Sequence, residues 1–223
     1  MQIPELVKTV AADVNRVDKV LDEKDKVREQ AIKMSRDIIR VSSDIVTLVH
    51  SGNTEGAAQL VNKLKDIVVG FSKLVEPHSE LRHSGFVNNA LAEYVEAMMF
   101  FNFVVKGRVP TLEELGVHYV PYLLGLCDFV GELRRHVMDL VRVGSFDRAF
   151  EILELMEGIY EILRKLDYPD ALVPGLRHKV DVMRRLIDDI KMFLVDLKSR
   201  RELSEAIREA LQDLARLGVS QET

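Results

Sequence analysis

The stretch Phe86-Val87-Asn88-Asn89-Ala90-Leu91-Ala92-Glu93-Tyr94-Val95-Glu96-Ala97-Met98-Met99-Phe100-Phe101-Asn102-Phe103-Val104-Val105 contains no proline or glycine. It is too long and too continuous for a strand, so it predicts a largely buried helix. Glu93 and Glu96 stand three residues apart and leave the same helical face. Neither has a cation one turn away in sequence. Like charges on an apolar helix are costly unless a positive group from elsewhere meets them.

A second apolar stretch, Tyr122-Leu123-Leu124-Gly125-Leu126-Cys127-Asp128-Phe129-Val130-Gly131-Glu132-Leu133, also reads as helix. Asp128 and Glu132 are four apart on one face. Two helices that each offer an acidic pair can pool carboxylates around a hard divalent cation, Mg²⁺ or Mn²⁺. The competing reading is structural. Glu132 pairs with Arg135 or His136 on a solvated face, and cations from other helices neutralise the rest.

The remaining chain carries the same helical signature. Apolar residues recur at helical spacing from about Pro4 to His50, with Asp22-Glu23-Lys24-Asp25-Lys26 as either a break or a solvated turn. Ser51-Gly52-Asn53 ends that segment, and Thr54 is placed to cap a helix running to about Leu74. Ser79 is read as the cap of the helix that carries Glu93, with Gly107 at its end. Thr111 and Glu114 have capping-box spacing. Pro121 suits the first turn of the Asp128 helix, and Gly144 ends it. Further helices are expected over Asp147–Leu166, from Pro174-Gly175 to about Arg200, and from Ser204 to Leu217. The tail from Val219 to Thr223 is expected to fray. The expectation is one all-α domain over residues 1–223, a helical bundle or layered array of six to eight helices.

The chain has 223 residues, of which 47% are hydrophobic and 30% charged, with a net charge of −5. A mildly acidic protein binds nucleic acid through a local basic patch, not a global field. A single cysteine, Cys127, excludes an intrachain disulfide framework. No signal-peptide pattern opens the sequence, and the longest apolar run carries two glutamates, so neither secretion nor a membrane span is expected and the cytoplasm is. Lys26, Lys33, Arg36 and Arg40 fall near one face of the first helix, and Arg82 and His83 precede the Glu93 helix. These are the candidate phosphate-binding residues, with a merely solvated basic face as the alternative. Glu80-Leu81-Arg82-His83 has the Glu-x-x-His spacing of di-iron bundles, which need two such motifs where this chain has one. No P-loop, zinc-spaced Cys/His set or nucleophile elbow is present.

Glu93-Tyr94-Val95-Glu96-Ala97, followed by Tyr122-Leu123-Leu124-Gly125 and Asp128-Phe129-Val130-Gly131-Glu132-Leu133-Arg134, resembles the translin family. It looks closest to that family's catalytic branch, translin-associated factor X. Ser35-Arg36-Asp37-Ile38 and Leu176-Arg177-His178-Lys179-Val180-Asp181 are similar too. The resemblance implies an all-α fold that assembles into a hollow shell with nucleic acid inside. It also implies a Mg²⁺-dependent endoribonuclease, with Mn²⁺ as a substitute ion. Glu93, Glu96 and Asp128 match its metal-holding acids, and Glu132 is a fourth catalytic candidate. The chain departs from the eukaryotic catalytic branch in having almost no insertion between Lys106 and Tyr122. Both a homo-oligomer and an assembly with a translin-type partner chain fit it. The implied ligand is RNA, single- or double-stranded, with DNA as a further option. Two other functions stay open: a non-catalytic RNA- or DNA-binding shell, and an all-α nucleoside-triphosphate pyrophosphohydrolase.

Overall fold

A computed structural model describes the backbone of residues 3–219 and the side chains of residues 3–214. Eight helices and no strand occur among the described residues: α1 (Ile3–His50), α2 (Thr54–Val75), α3 (Ser79–Arg82), α4 (Gly85–Lys106), α5 (Leu112–Leu115), α6 (Tyr119–Arg142), α7 (Phe146–Leu163) and α8 (Leu176–Val219). The all-α expectation holds. None of these helices is long and apolar enough to cross a membrane.

The residues group into two compact units, Met1–Phe129 with Asp170–Leu176, and Val130–Pro169 with Arg177–Thr223. In the first, α1 packs against α2 and α4. Ala31, Ile38 and Ile45 of α1, Leu64 and Phe71 of α2, and Val95, Met99 and Phe100 of α4 are fully buried. The His50 ring stacks on Phe100 at 4.6 Å between centroids. α4 buries most of its surface, which is why its sequence reads as a continuous apolar run and not as a stripe. In the second unit, Lys191 of α8 donates to Glu157 of α7 at 2.8 Å, and the Arg201 guanidinium lies 4.1 Å over the Phe146 ring.

Several punctuation signals act as read. Gly107 ends α4 in the left-handed conformation. Thr111 and Glu114 form a complete capping box. Three boundaries differ. Asn53, not Thr54, caps α2, its side chain accepting from the Gly56 N–H at 2.9 Å. Ser79 opens only the one-turn α3; the chain breaks at His83-Ser84 and α4 starts at Gly85. Ser84 does not cap α4 either, because its hydroxyl donates back to the Leu81 carbonyl at 2.7 Å. Of the two readings of Asp22–Lys26, the solvated turn of one long helix holds: Asp25 pairs with Arg28 at 3.2 Å and Lys24 reaches Glu80 of α3 at 2.5 Å. α8 also runs through Ser204 without interruption and past Gly218 to Val219. The pairs Arg200–Asp196 and Arg201–Glu205 flank Ser204 and favour continuation. The expected frayed tail beyond Val219 lies outside the described residues.

Candidate metal and nucleic-acid site

The first unit places the acidic candidates by a close helix crossing. A Cβ on Gly125 of α6 would lie 2.5 Å from the Ala92 carbonyl oxygen and 2.6 Å from the Val95 Cβ. Only glycine allows the two backbones to approach so nearly. A second contact follows further on, where the Phe103 and Phe129 rings meet edge to face at 5.9 Å. The two contacts advance in the same sense along α4 and α6.

Helical geometry then fixes which flanks carry the acids. Ala92 and Val95 look toward α6, so Glu96 stands about 70° and Glu93 about 130° round α4 from that direction, on the same side and with Glu96 nearer the seam. Asp128 is three residues past Gly125, about 60° back round α6. For helices running in the same sense, a forward rotation on one and a backward rotation on the other reach the same side of the seam. All three acids are half-buried, so they border the packed seam and stay open to solvent. Tyr94, between the glutamates, is buried, and that burial pushes its phenol pKa up. Glu132 belongs to the second unit, where it pairs with Arg135 at 3.8 Å. This is the ion pair that the structural reading of Glu132 expects. The pair is long and its arginine is exposed, so it contributes little, ~0–1 kcal/mol.

Gly125→Ala tests the crossing. Alanine is the better helix former by about 1 kcal/mol. The added methyl, however, meets a backbone carbonyl and a β-branched side chain that cannot swing away. Overpacking of this kind costs about 1–3 kcal/mol, occasionally more. We expect a net loss of stability in a chemical denaturation curve. An unchanged or raised midpoint would mean that the helices are not in contact there.

The basic candidates are surface residues. Lys26, Lys33, Arg36 and Arg40 are exposed along α1. Arg40 donates to Asp37 at 2.8 Å, which offsets part of its charge. Arg82 and His83, both exposed, line a cleft of about 350 Å³ with Ser72, Asn88 and His118. The His83 and His118 rings lie 5.5 Å apart, edge to face. Sequence reading missed His118. It precedes α6 by one residue and follows the left-handed Gly116 that ends α5, but nothing local marks it as facing His83. Burial, then the nearby His83 and Arg82 charges, hold its pKa below the ordinary histidine value. Its Nδ1 is buried and meets no hydrogen-bond partner among the described residues. Glu80 of the Glu-x-x-His spacing is engaged by Lys24, whose hydrogen bond lowers its carboxyl pKa.

An all-α protein with a half-buried acidic seam and exposed basic residues is the class these observations define. The family model of the translin family matches residues 26–201, so the chain belongs to the translin family. An uncharacterized protein of Methanocaldococcus jannaschii is 29% identical over 166 residues, 72% of this chain and 70% of that protein. The translin-associated protein X homolog of Schizosaccharomyces pombe is 22% identical over 115 residues, about half of each chain. Among solved structures, the complex of AfC3PO with duplex RNA superposes with a TM-score of 0.74 at 33% identity, covering 85% of this chain and 98% of that one. The apo form of NeC3PO gives 0.72 at 21% identity, covering 80% and 95%, a likeness of fold.

Proposed function

We propose that the protein is a divalent-metal-dependent endoribonuclease that binds RNA inside an oligomeric shell. The observation that supports the reading is the close approach of α4 and α6 at Gly125, because the half-buried acids Glu93, Glu96 and Asp128 lie on these two helices within a few residues of the crossing. The donor set fits a hard cation: three carboxylates, half-buried, with no sulfur or imidazole in it. Glu93, Glu96 and Asp128 would hold Mg²⁺ or Mn²⁺. When bound, such an ion supplies charge neutralisation at a phosphoryl oxygen and makes a nearby water more acidic. One of the three carboxylates accepts the proton as the water attacks phosphorus. The P–O bond to the leaving sugar oxygen breaks, and the chain is cut internally. The solved complex of a relative with duplex RNA supports RNA as the ligand.

Arg82 and the α1 residues Lys33, Arg36 and Arg40 would meet phosphates. Removing one phosphate-neutralising side chain should flatten the slope of log affinity against log salt by roughly 0.7–0.9. We therefore expect Lys33→Ala, Arg36→Ala and Arg40→Ala together to weaken RNA binding and reduce that slope. An unchanged slope would assign this face to solvent or to a subunit contact. Cleavage of labelled RNA with added metal, compared with chelator, tests the proposed activity itself. Nucleoside triphosphates in the same reactions separate it from a pyrophosphohydrolase. Tight, salt-sensitive binding without cleavage would mark a non-catalytic shell.

A further inference from the structure

α1 carries one 4-3 heptad rhythm along its length, but the chain covers only half of it. Ala31, Ser35, Ile38, Ser42, Ile45 and Val49 follow the 4-3-4-3-4 spacing and are 0–5% exposed beneath the rest of the first unit. Counting back through Arg28 and Lys24, the same register reaches Leu21, Val17, Val14, Val10, Val7 and Ile3. These six are 56–68% exposed. They also lie ahead of the residues that match the family model, which begin at residue 26. A 4-3 apolar seam is the pattern that a second helix covers by knobs-into-holes packing. Five of the six are valine or isoleucine, poor helix formers, so a helix here draws its stability from packing and not from propensity.

We propose that residues 3–21 of α1 form an antiparallel coiled coil with the same residues of a second copy of this chain. The seam is its own complement. It is symmetric about residue 12, so a two-fold axis there sets Ile3 against Leu21, Val7 against Val17 and Val10 against Val14 of the second copy. Such an isologous contact closes on itself and does not propagate. The flanking residues choose the direction. A parallel pair would set Asp13 against Asp18 twice and Val20 against Asp25 twice. The antiparallel pair sets Leu6 against Val20 twice and Ala11 against Ala11. Its one like-charge meeting is Asp13 with Asp13, and each of these is already paired with Arg16 on its own helix. Leu6 and Val20, 48% and 51% exposed, widen the face to eight exposed apolar residues per copy. The proposal does not depend on the metal chemistry.

Cysteine cross-linking in the full chain tests it. Val10→Cys and Val14→Cys sit opposite one another only in the antiparallel register. Under mild oxidation, the double variant should form a reducible dimer at least about tenfold faster than either single variant or Lys19→Cys, which lies off the seam. Cys127 is buried and serves as the wild-type background. Because all the altered residues are exposed, folding is not at stake. Fast cross-linking by Val10→Cys alone would show a parallel pair and overturn the proposal. Equally slow cross-linking in all variants would also overturn it, showing that no second copy covers the seam.

Discussion

Glu93→Gln, Glu96→Gln and Asp128→Asn should each lower RNA cleavage by at least about a hundredfold, the scale of losing one well-placed electrostatic group. RNA affinity should change little, because the basic residues that meet phosphate are left in place. Each change keeps the shape of the side chain and removes one oxygen ligand's charge. The test is single-turnover cleavage of labelled RNA beside a binding titration in chelator. Full activity in any one variant would remove that residue from the site. A parallel loss of binding would point to a structural role for the acid instead. Glu132→Gln divides the roles further. Glu132 pairs with Arg135, so a purely structural Glu132 would leave cleavage intact, whereas a proton-accepting one would not.

The second large effect concerns stability. A cation that binds the folded chain alone stabilises it by about 2.7 kcal/mol at a hundred times its Kd. Mn²⁺ should therefore raise the melting temperature of the wild-type protein in a concentration-dependent way. Asp128→Asn should lose most of that gain. Melting curves for both proteins, with chelator and with increasing Mn²⁺, measure this directly. Equal stabilisation of the two would exclude Asp128 from the metal site and favour the structural ion-pair reading.

Much of the fold is written locally. The unbroken apolar run of α4, the left-handed Gly107, and the capping box at Thr111 and Glu114 are signals within a few residues of one another. The errors arise where a side chain finds another partner. Ser84 bonds back to Leu81, and the ion pairs around Ser204 carry α8 across it. The candidate acids stood out because carboxylates are rare in such apolar surroundings. The helix crossing near them did not, since it depends on Gly125. In sequence that residue is only a glycine in a helix, a weak point in the helical pattern. In space its missing side chain is what lets α4 and α6 meet. His118 shows the same limit, because its meeting with His83 is made by tertiary packing. The exposed half of the α1 seam was visible as periodicity, and its exposure was visible only in the structure.

If Glu93, Glu96 and Asp128 hold a metal used to cut RNA, cleavage must be internal and must require that metal. The most direct measurement is a time course with internally and end-labelled RNA, single- and double-stranded, in Mg²⁺, Mn²⁺ or chelator. We predict internal cleavage products with either metal and none with chelator. Intact RNA under all three conditions, from protein that binds it, would contradict the claim.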